Sequence, residues 1–334
     1  MKIFITGLAG FLGSNLGTRL ANKGHIIFGN DNFIGGYRDN LDSRFNFFDV
    51  DCCDLNNLTK VIPNGIDVIF HCAATAYEGL SVFSPSFVTK NIFEASVSTV
   101  TASIQKKVKK FIFCSSMARY GDQSPPFTED MKTQPEDPYG IAKAASEEVI
   151  KNLCDTHGID WTILVPHNIV GPRQKYDDPF RNVMSIFINK MLMNEQIYIY
   201  GDGLQKRCFS YVDDCIDCME KCITEPASSK EIINIGPDEE TITIKELAEL
   251  CANEIGHNKE PIFVQQRPKE VKFASCSSDK ARKILDYQTK FSLKESIKLT
   301  ANYIREKGAK EFDYHIDLEI ENEMTPKTWT KKLI

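Results

Sequence analysis

The run Thr6-Gly7-Leu8-Ala9-Gly10-Phe11-Leu12-Gly13 separates a short β-branched and aromatic segment, Lys2–Thr6, from a helical pattern in which Leu12, Leu16 and Leu20 recur every fourth residue and Gly24 marks the stop. Buried strand, glycine turn and amphipathic helix in that order predict the opening β-α unit of a nucleotide-binding sheet, whose helix N-terminus turns its free N–H groups toward a phosphate. The three glycines are each separated by two residues, a spacing that differs from the plain G-x-G-x-x-G. Working outward, His25–Asn30 reads as a second strand closing on Asp31, and Phe45–Val50, Ile66–Cys72 and Lys110–Cys114 read as three more. Helical patterns fill 54–62 and about 88–107. Asp137-Pro138 supplies an N-cap and a first-turn proline for a helix reaching His157, where Gly158 ends it before a sixth strand, Asp160–Val165. Strands alternating with helices predict parallel β-α-β units, hence a doubly wound, Rossmann-type α/β sheet over 1–172. After 172 the pattern loosens. A loop at 174–179, a helix near 181–194, short strands near 197–200 and 231–235, and helices near 213–224, 243–256 and 292–307 predict a smaller mixed α/β substrate domain over 173–311, with some later segments returning to the first. The extension 312–334 is acidic, then basic and aromatic, and suggests no role by itself.

Composition narrows the function classes. The chain has 334 residues, 42% hydrophobic and 26% charged, which argues against disorder, collagen-like repeats and coiled coil. Lys and Arg number 40 against 46 Asp and Glu, a net charge of −6, so the broad basic surface of a non-specific nucleic-acid binder is not expected. No apolar run approaches the roughly 20 residues of a membrane span, and Met1-Lys2 leads straight into Ile3-Phe4-Ile5 without room for a signal peptide; a cytoplasmic location is expected. Eleven scattered cysteines, an odd number, read as reduced thiols. Cys215, Cys218 and Cys222 fall at helical spacing with no second pair of finger-like spacing, so buried thiols are expected there and no metal.

Two constellations carry chemistry. Asp31 closes the second strand, where a carboxylate accepts hydrogen bonds from ribose hydroxyls and repels a 2′-phosphate; this favours NAD over NADP, with nearby Arg38 as the counter-argument. Tyr139 and Lys143 stand four apart at the start of a predicted helix and project from one face, so that an ammonium can stabilise a phenolate. Ser116 follows the fifth strand, at the carboxyl edge where open α/β sheets place ligands, and its hydroxyl is suited to a reacting oxygen.

Taken together, TGLAGFLGSN at 6–15, FIFCSSMARYGD at 111–122, DPYGIAKAASE at 137–147, PHNIVGPRQ at 166–174 and YGDGLQKRCFSYVDD at 200–214 resemble the extended short-chain dehydrogenases/reductases, in their nucleotide-sugar epimerase/dehydratase branch. The resemblance implies that Gly7, Gly10, Phe11 and Leu12 hold the pyrophosphate of NAD, and Asp31 with Asn32 the adenosine ribose. It gives the adenine to Asp51 and Cys52, and the cofactor cleft to Ala73, Ala74 and Asn91. Lys143 would also hold the nicotinamide ribose, with Ser116 and Tyr139 flanking the sugar C4 oxygen. On the substrate side it implies Asn168, Asn182 and Val183 near sugar and diphosphate, Tyr200 at the nucleobase, and Arg207 and Arg267 on the diphosphate. A homodimer through the helices at about 88–107 and 138–157 is implied as well.

The reaction expected turns on Met117-Ala118-Arg119, where family 4,6-dehydratases and decarboxylases place an acid after the catalytic Ser/Thr. Its absence favours 4-epimerisation of a UDP-linked sugar through a transient 4-keto intermediate. A 4,6-dehydratase, a 4-keto reductase and a non-catalytic dinucleotide-binding protein are the alternatives. Arg119 departs from the small or apolar residue usual there, and Pro166-His167 from the usual aromatic pair; His167 and His71 suit structural roles. Lys175, with Arg173 and Arg181, lies near where uronate epimerases bind a carboxylate, which keeps UDP-glucuronate beside UDP-glucose and UDP-N-acetylglucosamine.

Overall fold

The computed structural model describes residues 1–334. Its first half runs β1 (Lys2–Thr6), α1 (Phe11–Asn22), β2 (Ile26–Asp31), β3 (Asn46–Asp49), α2 (Leu55–Val61), β4 (Val68–His71), α3 (Pro85–Thr89), a π turn at Lys90–Glu94, α4 (Ala95–Gln105), β5 (Lys110–Cys114), α5 (Pro138–His157) and β6 (Asp160–Pro166). The second half runs β7 (Ile169–Val170), α6 (Val183–Leu192), β8 (Tyr198–Tyr200), β9 (Lys206–Arg207), β10 (Ser210–Tyr211), α7 (Val212–Lys221), β11 (Glu231–Ile235), β12 (Ile242–Thr243), α8 (Ile244–Ile255), β13 (Ile262–Val264), β14 (Phe273–Ala274), α9 (Asp279–Leu285), α10 (Leu293–Lys307) and α11 (Lys327–Thr330). The expected helix at 88–107 is thus broken by a π turn, a wider helical ring that often accompanies functional sites.

Seven parallel strands form one sheet in the order β11-β6-β5-β4-β1-β2-β3. Ile3, Phe4 and Ile5 have no exposed surface, as expected of a parallel strand covered on both faces. In α1, Leu16 and Leu20 are buried against the sheet, whereas Leu12 turns toward the ligand cleft. Asp137 caps α5 by accepting from the Gly140 N–H at 2.8 Å, Pro138 opens the helix, and Gly158 closes it at φ 72°. Cys215 and Cys218 on α7, and Cys222 just past its end, lie inside the core beside the sheet. A separate apolar cluster joins α6, α8 and α10. From β1 the chain winds one way to β2 and the other way to β4, so a crevice opens beyond the carboxyl ends of β1 and β4. No helix is long and apolar enough to cross a membrane.

Candidate active site

That crevice continues into a cavity of about 420 Å³ between the sheet and the second-half elements. Apart from Arg173, every residue singled out above for cofactor, substrate or chemistry lines it, Gly7 and Arg267 among them.

The cofactor end is built by the glycine turn. Gly7 adopts φ 70°, and a Cβ there would lie 2.9 Å from the Ala73 backbone; a Cβ on Gly13 would lie 2.1 Å from the Gly7 carbonyl oxygen. Only glycine lets the three segments close up. Gly10, the N-cap of α1, brings no side-chain acceptor, and the first helical turn contains no acid. The N–H groups of Phe11 and Leu12 therefore face the cleft in a positive field that suits a pyrophosphate. Asp31 accepts from the N–H groups of Ala9 at 3.0 Å and Phe33 at 2.7 Å, which fixes its carboxylate at the rim. Burial pushes that carboxyl up from its ordinary range, while these N–H donors hold it back. Arg38 pairs with Asp49 at 3.0 Å on the exposed surface, with its guanidinium over Phe33. Asn30 reaches Cys52 at 3.2 Å, and Asn32 donates to Asp51 at 3.0 Å. The turn and its acid thus fit a dinucleotide.

Beside β4, Thr6 Oγ1 lies 2.8 Å from His71 Nδ1 and accepts from the Ala73 N–H at 3.2 Å, while His71 Nε2 lies 3.0 Å from Ser96. Burial lowers the His71 ring to about 3, so a neutral imidazole braces β1, β4 and the following loop. His167 is also fully buried, 3.0 Å from the Pro237 carbonyl, and is not part of the cavity wall. Both histidines are structural.

Ser116, Tyr139 and Lys143 line the cavity where β5 ends and α5 begins. Tyr139 is almost fully buried; burial raises its phenol, and the neighbouring Ser116 hydroxyl works in the opposite direction. Lys143 Nζ, one turn further along the same face, donates to the Cys114 carbonyl at 2.7 Å and sits over Phe113. Burial lowers this ammonium to about 8.

Another turn along that face comes Glu147, which sequence reading did not single out. It accepts from the Ser115 hydroxyl and pairs with Arg119 at 3.0 Å, with 0% and 4% of the two side chains exposed. Arg119 is therefore turned away from the cleft into a buried pair that ties α5 to the loop carrying Ser116. The spacing 139, 143, 147 was a visible helical stripe; what it would face was not.

The substrate end is framed by Asn168, which donates to the Cys208 carbonyl at 2.9 Å, and Asn182, which caps α6 through the Met184 N–H at 3.0 Å. Arg267 lies over the Tyr200 ring at 4.6 Å and pairs with Glu270 at 3.0 Å; Arg207 is held by the Val271 carbonyl at 2.6 Å. Of the basic loop, Arg173 turns away to the Ser14 carbonyl and Thr18, Lys175 meets Asp177 at 3.4 Å, and Arg181 meets Asp178 at 3.3 Å. Glu78, another residue the sequence reading passed over, lines the cleft from the loop after β4 with no ion-pair partner, and its field raises the Asp137 carboxyl beyond the effect of burial.

A glycine cradle at the switch point of a parallel sheet, with serine, tyrosine and lysine gathered beside it, defines an enzyme that works on a bound dinucleotide. The chain belongs to the NAD dependent epimerase/dehydratase family, whose model matches residues 3–236; NAD is its cofactor. It is 31% identical to the UDP-glucose 4-epimerase of Mycolicibacterium smegmatis, over 92% of this chain and all of that one. It is likewise similar to the crystal structure of the Thermotoga maritima UDP-glucose 4-epimerase with UDP-glucose (TM-score 0.87, 31% identity, 92% of this chain and 99% of that one). A third likeness is to the Bacillus cereus UDP-glucuronic acid 4-epimerase with UDP-glucuronic acid and NAD (TM-score 0.83, 30% identity, 92% and 100%).

Proposed function

We propose that this protein is an isomerase, a nucleotide-sugar 4-epimerase acting on a UDP-linked hexose or N-acetylhexosamine. The observation that carries the reading is that Ser116, Tyr139 and Lys143 line one cavity where β5 ends and α5 begins, with no carboxylate on the turn that follows Ser116. Tyr139, as the phenolate that the Lys143 ammonium stabilises, takes the proton from the sugar O4 and becomes the neutral phenol, while Ser116 holds that oxygen by a hydrogen bond. NAD, which the Gly7–Leu12 turn and Asp31 would hold, would supply a reversible acceptor for the C4 hydride and would not be consumed. The cavity must let the 4-keto sugar turn over between the two transfers, while Arg207 and Arg267 hold the diphosphate through their forked donors.

A neutral sugar is favoured over a uronate. Lys175 and Arg181 face Asp177 and Asp178, and Glu78, a cleft carboxylate without an ion-pair partner, repels a second anion. Glu78 also motivates a second reading, a 4,6-dehydratase in which it supplies the acid missing after Ser116. Incubation with UDP-glucose, UDP-N-acetylglucosamine and UDP-glucuronate, with products resolved by NMR, separates these readings. A C4 epimer formed without added cofactor and without NADH accumulation supports the first. A 4-keto-6-deoxy product supports the second, and net NADH indicates a dehydrogenase. We further propose a homodimer through α4 and α5, because Phe93 and Ile141, on neighbouring helical turns, are 37% and 53% exposed; light scattering showing a monomer would refute it.

A further inference from the structure

The family match at 3–236 stops well before residues 312–334, the last 23 of the chain, and no role has been given to these. In the structure they do not trail away. Glu319 accepts from the N–H groups of Ser86 and Phe87 at 2.8 and 2.7 Å, at the start of α3, and Ser84 donates to the Asp317 carbonyl at 3.0 Å. The segment then crosses the cleft. Trp329, 4% exposed, packs edge-on against Phe83 from the first half at 5.7 Å and Phe180 from the second at 5.2 Å. Beyond it, Lys190 on α6 donates to the Leu333 carbonyl at 2.9 Å, and Ile334 lines the cavity itself.

One contact gives this segment a chemical role. Thr328, 2% exposed, places its hydroxyl 2.5 Å from the Tyr200 hydroxyl. Tyr200 is the residue that the family resemblance puts at the nucleobase, and Arg267 covers its ring. Held by the arginine at its face and by the threonine at its edge, the ring is fixed before any ligand arrives. A pre-set aromatic platform loses less rotamer freedom on binding than a mobile one.

We infer that residues 326–334 form a wall of the nucleotide end of the cleft, in which Thr328 positions Tyr200, and that they set the affinity for the nucleoside diphosphate. This rests on the nucleotide-sugar reading above. The test uses the full NAD-loaded chain with UDP as the probe, by isothermal titration, and the UDP-sugar turned over by the wild type. Thr328→Val keeps the shape and removes the hydroxyl; its Kd for UDP is expected to rise about 3- to 10-fold, the range of one freed side chain, with the kinetic loss in KM rather than kcat. A chain ending at residue 325 is expected to lose more than Thr328→Val while keeping its NAD. If that truncation fails to fold, Ile334→Ala combined with Thr328→Val replaces it, with the same expectation. Wild-type UDP affinity in Thr328→Val and in the folded truncation or the double variant would overturn the inference. A wild-type chain that neither binds UDP nor converts any UDP-sugar would overturn the underlying reading, and this inference with it.

Discussion

The Arg119–Glu147 pair permits a quantitative test of how α5 is held against the loop of Ser116. Two unit charges 3.0 Å apart attract by roughly 5–6 kcal/mol at an effective dielectric of about 20. With 4% and 0% of the side chains exposed, that attraction offsets the removal of both groups from water, and deleting one partner leaves the other's desolvation uncompensated. The two deletions are not equivalent. A guanidinium has no accessible neutral form, whereas the Glu147 carboxyl is already raised by burial, with Arg119 pulling it back, and can take up a proton. Glu147→Leu is therefore expected to destabilise by about 3–5 kcal/mol, on the order of 5–10 °C in Tm, and Arg119→Met by less. In Arg119→Met the folded-state carboxyl lies further above its unfolded value, so this variant should be most stable at low pH and lose stability as pH rises through the raised value. The double variant Arg119→Met/Glu147→Leu should recover much of the loss, because an apolar pair requires no desolvation of charge. Thermal unfolding of the four proteins at fixed NAD between pH 5 and 8 measures all of this. Equal losses in the two single variants, or no recovery in the double, would refute the reasoning.

Three further outcomes follow from the site. Tyr139→Phe should lower kcat by about 10²–10⁴, the usual contribution of a positioned acid–base group, while NAD content by extraction stays at the wild-type level. Asp31→Asn removes the charge that favours ribose hydrogen bonds and repels a 2′-phosphate; NAD affinity should fall by roughly one to two powers of ten, with smaller discrimination against NADP, as read by cofactor titration of the apo-protein. Glu78→Gln should raise kcat/KM for UDP-glucuronate relative to UDP-glucose in competition assays; abolished turnover of every substrate would instead identify Glu78 as a reacting acid.

The sequence by itself determined the parallel sheet, the glycine turn and the helix that carries Tyr139 and Lys143. Its signals are local: an apolar run too short for anything but a strand, glycines at 7, 10 and 13, a cap at Asp137 with a stop at Gly158, and a phenol and an ammonium one helical turn apart. Such features act over a few residues, so their spacing along the chain carries their geometry. Only the tertiary structure decided which charges remain free. Arg173, Lys175 and Arg181 read as cations near a substrate carboxylate, yet backbone and Thr18 take the first and Asp177 and Asp178 meet the others; Arg119, which read only as a departure from the family pattern, is buried against Glu147. The same holds for Thr328, 128 residues from the Tyr200 hydroxyl that it touches. Ion pairs and side-chain contacts between distant segments depend on where the fold returns the chain, and no periodicity along it records that.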